Sequence, residues 1–173
     1  MPTATMKLAR HQIPTRFPAL PNLAFSASTP SDFVTPELPC ARPNFEDPTF
    51  MMPLWAASSP IALAVLAVAV RPAYDNGTLT DWLTYLAGEQ GLALTNLRTA
   101  KLGSHPALLA SAEQVQEGTA LNLRLAAFED GGYLFIITAM CPAELWPSFG
   151  PVLEAAVESI QLTEPLGATR PMA

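Results

Sequence analysis

Charged residues are scarce in this chain, and lysine is the scarcest cation. Charged residues make up 14% of the 173 positions, and the two lysines are Lys7 and Lys101. The net charge is −6, so no basic stripe is available to neutralise a phosphate backbone or an anionic lipid surface. We therefore expect no nucleic-acid partner. Half of the residues are apolar, which predicts a packed core and some apolar surface facing a protein partner, a second copy of the chain being one candidate.

The chain also lacks an apolar run long enough to cross a bilayer. The longest run, from Ile61 to Val70, would rise roughly 15 Å as a helix, about half of the hydrocarbon thickness. The N-terminus does not resemble a secretory signal, because Pro14, Pro18 and Pro21 interrupt it before a sufficient apolar segment appears. We expect a cytoplasmic protein with no membrane span, unless a leader has been removed.

Cysteine and histidine are too few and too scattered for a metal centre. Cys40 and Cys141 have no CxxC spacing near them, which favours two free thiols in a reducing compartment over a disulfide. His11 and His105 have no cysteine or acidic residue nearby at the spacing of metal ligands. We therefore predict no metal site.

Catalytic motifs are missing as well. The sequence contains no GxSxG, HExxH, phosphate loop or dinucleotide fingerprint. Ser104 and His105 are adjacent on a predicted turn and are expected to be surface residues, and Glu129 and Asp130 are expected to be solvated turn residues. We predict no catalytic residues and no cofactor, and hence a protein that is not an enzyme.

Proline and glycine divide the chain into an arm, one domain and a tail. Residues 1–22 have no hydrophobic period and predict a flexible arm, residues 23–163 predict a single domain, and residues 164–173 predict a tail. Between Pro30 and Pro60 seven prolines predict a long connection with at most one short strand, near residues 50–56. Such a loop is often a binding element. Its candidate partner-binding residues are Phe45, Phe50, Met51, Met52 and Trp55, with the alternative that they cover one end of the sheet.

The remaining periodicity predicts an α+β fold. Residues 23–28 alternate like a short strand, and the run from Ile61 to Val70 is typical of a central strand buried on both faces, with a buried helix as the alternative. Thr78 or Thr80 can cap a helix that ends at Gly88 or Gly91. A second helical region is expected to open at Pro142, to be broken early by Pro147 and Pro151, and to be regular from Pro151. Further strands are predicted within residues 92–101, 107–116, 119–128 and 133–141, with a short last strand at 159–162. The expected architecture is an antiparallel sheet of about six to seven strands flanked by two main helices.

Three local sequences resemble the PsbP/DcrB-like superfamily. They are the strand running into a proline at residues 25–30, the turn at residues 101–107, and the helix that runs into Ser-Ile-Gln-Leu at residues 153–162. The superfamily includes the photosystem II protein PsbP, the lipoprotein DcrB, a Ran-GTPase release factor and the Eag chaperones of secreted effectors. The resemblance implies a PsbP-like sandwich over residues 23–163, and a protein partner such as an apolar helical segment of a secreted effector.

These observations give one leading hypothesis and two alternatives. The leading hypothesis is a non-enzymatic protein-binding or chaperone-like accessory protein, associated with secretion if the Eag analogy holds. The first alternative is a small-ligand-binding domain with a pocket between the sheet and the loop that carries Met51, Met52 and Trp55. The second is a hydrolase whose catalytic residues are dispersed along the chain.

Overall fold

The computed structural model describes residues 8–14, 23–36, 38, 42–60 and 63–163. Nine strands and two helices are found in this part of the chain. The strands are β1 (Leu8–Pro14), β2 (Ala24–Pro30), β3 (Met52–Ser58), β4 (Val65–Pro72), β5 (Thr95–Leu102), β6 (His105–Gln116), β7 (Thr119–Asp130), β8 (Tyr133–Pro142) and β9 (Gln161–Leu162). The helices are α1 (Leu79–Glu89) and α2 (Trp146–Ser159), the second preceded by a 3₁₀ turn at Ala143–Leu145.

The main sheet has six strands in the order β3-β4-β8-β7-β6-β5, and every neighbouring pair is antiparallel. Tight hairpins join β6 to β7 and β7 to β8. In the first hairpin Glu117 and Gly118 have φ of 49° and 81°, and in the second Gly131 and Gly132 have φ of 60° and 82°. Two positive φ values in succession match the twist of the flanking strands, so these joints fix the register of the meander.

One face of the main sheet is covered by α2 and by a smaller sheet in the order β1-β2-β9. Buried residues of β2, β4, β8 and α2 share one hydrophobic cluster there, in which the rings of Phe25 and Trp55 meet edge to face at 5.9 Å. The predicted flexible arm is wrong for residues 8–14, because β1 pairs with β2 along its whole length, from Leu8 opposite Pro30 to Pro14 opposite Ala24.

The other face of the main sheet carries α1 and a second hydrophobic cluster. Thr78 is the N-cap of α1: its side chain accepts a hydrogen bond from the Asp81 backbone N–H, while the Asp81 carboxylate accepts one from the Thr78 backbone. Gly91 follows the helix with φ of 76°. Both ends lie where the sequence predicts them, since capping and positive φ are local requirements.

Two predicted boundaries are wrong. Helix α2 is continuous from Trp146 rather than regular only from Pro151. Pro147 does not break it, because a proline in the first turn removes no helical hydrogen bond, and Pro151 is accommodated inside the helix. Strand β4 begins at Val65, and its apolar side chains are fully buried on the α2 face, at Leu66, Val68 and Val70. On the α1 face Val65, Ala67 and Ala69 are half-buried, and Arg71 is the buried residue.

Candidate binding groove beside helix α1

The α1 face of the main sheet contains an apolar groove that α1 covers only in part. Its floor consists of alternate residues of three neighbouring strands, and β8 lies between β4 and β7. We define the open groove by these floor residues: Val65, Ala67 and Ala69 of β4; Thr138 and Met140 of β8; and Leu121, Leu123 and Leu125 of β7. None of them is charged.

Helix α1 forms the wall at one end of the open groove. Its buried residues Trp82, Leu83, Leu86 and Ala87 pack toward the sheet, but the helix has only 11 residues. Between α1 and the floor lies a cavity of about 120 Å³. At the uncovered end lies a wider hollow of about 640 Å³, bordered by the side chain of Leu63, which is 68% exposed.

The two hollows belong to one surface. Val65 and Ala67, Thr138 and Met140, and Leu121 and Leu123 are successive residues on the same face of their strands, and one member of each pair lines each hollow. Val65, Ala67, Ala69, Thr138 and Met140 are all half-buried. The floor of the open groove is therefore apolar from the cavity beneath α1 to the wider hollow. At the hairpin between β6 and β7 the margin of that hollow is polar and consists of Gln116, Glu117 and Thr119.

A buried arginine fixes the proline-rich loop at the closed end. Arg71 is 5% exposed, and its Nη1 donates to the carbonyls of Pro48 at 2.7 Å and Phe50 at 3.0 Å, with a longer contact of 3.3 Å to the carbonyl of Asp47. Its guanidinium lies 4.4 Å from the centre of the Tyr74 ring. The Tyr74 hydroxyl donates to the Pro48 carbonyl as well.

The Tyr74 ring joins this loop to α1. It packs at 6.0 Å from both Trp82 and Tyr85 of the helix. Burial raises the pKa of the Tyr74 phenol above its usual value, although the nearby Arg71 charge opposes the shift. The pKa of the Asp47 carboxyl is lowered, chiefly because it accepts a hydrogen bond from the Thr49 backbone N–H. Arg71 and Tyr74 thus connect the loop, β4 and α1, and hold Met51 at the rim of the groove.

The structure separates the five predicted partner-binding residues. Met52 and Trp55 are 7% exposed and belong to the core cluster beneath α2. Phe45 and Phe50 are half-buried, meet edge to face at 5.6 Å and pack against the same cluster. Met51 is the one of the five that lines the groove cavity. Partner binding by this set stays a prediction.

Elsewhere the described residues supply no group of three or more histidine, cysteine, aspartate or glutamate side chains that could hold a metal ion. His105 Nε2 lies 2.9 Å from the Asp130 carboxylate, and the imidazole also packs on Phe128. This pair replaces the solvated turn predicted for Asp130, because β7 extends to that residue. Burial raises the pKa of the Cys141 thiol, which is free. No helix within the described ranges is long and apolar enough to span a membrane.

Sequence reasoning missed the residues that form the open groove. Ala67, Ala69 and Thr138 are small side chains within otherwise bulky apolar strands, and this contrast was the available signal. This contrast does not predict a groove by itself, because the groove exists only where β4, β8 and β7 are aligned and α1 leaves part of them uncovered.

Comparison with known structures identifies the fold. No family model and no curated protein matches the chain. Cyanobacterial PsbP from Synechocystis sp. PCC 6803 is similar to it with a TM-score of 0.61 and 10% identity, over 94% of this chain and 96% of that one. LpqN, involved in cell envelope biogenesis of Mycobacterium tuberculosis, has a TM-score of 0.57 and 10% identity, over 91% and 92% of the two chains. A protein of unknown function from Pseudomonas aeruginosa, PA94, has a TM-score of 0.50 and 15% identity, over 88% and 95%. The chain has the PsbP-like α+β sandwich fold, as its sequence predicted.

Proposed function

We propose that this protein is a non-enzymatic, chaperone-like accessory protein that shields an apolar helical segment of a client protein in the open groove. The observation that carries the proposal is an uncharged floor that α1 leaves partly uncovered. Water in contact with such a surface is unfavourable, and an apolar partner would remove it. The lack of catalytic motifs and of a clustered metal-binding set in the described residues supports a binding role over catalysis.

The width of the groove favours a helix as the occupant. Neighbouring strands lie about 4.8 Å apart, so the three floor strands span about 10 Å, close to the diameter of a helix with its side chains. The hollow of about 640 Å³ beyond α1 is large enough for several such side chains.

The cellular setting is part of the proposal. An accessory role is in keeping with a fold that is also found in a protein of cell envelope biogenesis. By analogy with chaperones of this fold, we propose a secreted effector as the client and the cytoplasm as the compartment, where the Cys141 thiol would stay reduced. Cell fractionation and a pull-down for clients with apolar helices test this assignment.

The binding test uses two matched surface substitutions. Leu63→Glu places a charge at the rim of the groove, whereas Val115→Glu places one at a site that is equally exposed, at 71%, but does not line either groove hollow. The probe is a fluorescent 20-residue helix of leucine and alanine. Since burial of one leucine side chain contributes about 1.5–3 kcal/mol, Leu63→Glu should weaken binding about tenfold or more. Equal affinity of wild type and Leu63→Glu, or equal weakening by Val115→Glu, would contradict the proposal.

A second candidate is a small-ligand-binding domain, favoured by the cavity volume. The larger hollow lies within the range of about 300–1,000 Å³ typical of ligand pockets. Its location differs from the pocket expected at the proline-rich loop, since among Met51, Met52 and Trp55 only Met51 lines a groove cavity. A thermal-shift screen separates the candidates: stabilisation by small apolar metabolites, with no binding of the helical probe, would favour the second.

A further inference from the structure

A second concave surface lies on the opposite face of the main sheet, between α2 and the edge strand β5. Its volume is about 220 Å³, and an adjoining hollow of about 130 Å³ shares Asn96, Ser111 and Arg124 with it. We call this surface the polar cleft. It is lined by the polar residues Asn96, Arg98, Ser111, Arg124, Glu154 and Glu158.

One half of the polar cleft is fixed. The Nε atom of Arg124 donates to Glu154 Oε1 at 2.8 Å, and its Nη1 donates to the Leu123 carbonyl at 3.0 Å. The guanidinium lies 4.1 Å from the centre of the Trp146 ring. That ring is able to lie across α2 because residue 150 is glycine, where any Cβ would collide with it. Arg124 is therefore held in one orientation before any ligand arrives.

The other half of the polar cleft is labile. Arg98 Nη2 lies 3.5 Å from Glu158 Oε1, and the two side chains are 61% and 49% exposed. Ion pairs this long and this exposed contribute little to stability and open easily. A β-bulge aims Arg98 into the cleft: Thr95 pairs with Ser111 and Arg98 with Leu109, which leaves an extra residue near Asn96, whose φ is 52°.

We propose that the polar cleft binds a small zwitterion, such as a free α-amino acid. Arg98 would take the carboxylate of the ligand and Glu158 its ammonium, so that the weak ion pair is exchanged for two charge-assisted contacts. Arg124 and Glu154 would remain paired and form the rigid wall. This site and the open groove lie on opposite faces of the sheet, so the proposal is independent of the client-binding function.

The alternating charges favour a zwitterion over other polar ligands. An isolated anion such as phosphate would meet the carboxylates of Glu154 and Glu158 together with the arginines. A sugar commonly stacks on an open aromatic face, but Arg124 occupies a face of Trp146 here. A ligand with both charges at close range matches the cleft without leaving either sign unpaired.

The test is an NMR titration of the full chain, with glycine and glutamine as probes and acetate and methylamine as analogues that carry one charge each. We expect both amino acids to shift the amide signals of Arg98, Ser111 and Glu158, and the analogues to have no effect at equal concentration. Arg98→Met and Glu158→Gln should each weaken binding about tenfold or more, because each removes one charge-assisted contact. Glu89→Gln, an exposed change at the end of α1, is the matched control and should bind as wild type does.

Several results would overturn the proposal. They are the absence of shifts with both amino acids, equal shifts with acetate or methylamine, and unchanged affinity in both cleft variants. Because Arg98 and Glu158 are exposed, their variants should keep the wild-type unfolding temperature, so that loss of binding reports on the cleft rather than on folding.

Discussion

Replacement of Arg71 by methionine tests how the proline-rich loop is held against the sheet. Arg71 is the buried cation whose Nη1 contacts the carbonyls of Asp47, Pro48 and Phe50. Methionine retains an apolar stem of similar length but offers no hydrogen-bond donor. We expect the loop to loosen, and with it the position of Met51 at the rim of the open groove.

The size of the effect follows from the contacts that are lost. A hydrogen bond from a charged donor contributes about 1.5–3 kcal/mol, but the carbonyls share one nitrogen, and those of Asp47 and Pro48 belong to exposed residues that water can reach. Loss of the cation–π contact with Tyr74 adds about 1 kcal/mol. The methionine variant also avoids the cost of burying a charged guanidinium, and this offsets part of the loss. We expect unfolding to become easier by about 2 kcal/mol, and Tm to fall by about 4–8 °C.

The assay combines thermal and urea unfolding with amide exchange of residues 47–52. Arg98→Met, an arginine-to-methionine change at an exposed site, is the matched control and should alter stability by less than about 0.5 kcal/mol. The reasoning is refuted if Arg71→Met unfolds at the wild-type temperature with unchanged exchange in the loop, or if the control loses as much stability.

Two further predictions concern ionisation. Because folding raises the pKa of the Tyr74 phenol, the stability linked to it is present below the unfolded pKa of about 10 and is lost as pH rises through the folded pKa. As pH rises above about 10, the free energy of unfolding measured in urea titrations should therefore fall less for Tyr74→Phe than for wild type. Parallel pH profiles of the two proteins would contradict the assignment. Burial raises the pKa of the Cys141 thiol, so a thiol reagent should label this residue in the folded chain only at the rate of opening, whereas rapid labelling would show that the site is accessible.

The elements that the sequence predicted correctly have local causes. Thr78 and Gly91 limit α1 through capping and positive φ, and Gly118 and Gly131 mark two hairpins through the same backbone requirement. Such signals depend on a few neighbouring residues. They are therefore sufficient to predict the antiparallel strands and the α+β class from the sequence alone.

Features that depend on distant contacts were not predictable in this way. Strand β1 has no clear alternation, and its regular structure comes from pairing with β2. Arg71 directly follows the apolar run that ends at Val70, but its partners lie more than twenty residues earlier in the chain. A lone arginine directly after an apolar run is a usable signal for such an anchor, because a cation beside the core needs oxygen partners.

The polar cleft illustrates the same limit. Asn122 and Arg124 alternate with leucines, which indicates a solvent-exposed face for β7, but the alternation contains no sign that α2 encloses this face. The aim of Arg98 depends on a bulge that no residue pattern announces. A site that depends on strand register and on partial coverage of the sheet by a helix can therefore be recognised only in the folded structure.

Site-specific photocrosslinking tests the central claim that the open groove holds an apolar helix. A photoreactive residue is placed at Met140 on the groove floor in one variant and at Val115 outside the groove in another, and each is irradiated with the fluorescent leucine–alanine helix. We predict a crosslinked product at Met140 and none at Val115. Crosslinking at Val115 to the same extent, or none at Met140 under conditions in which the probe binds, would contradict the account.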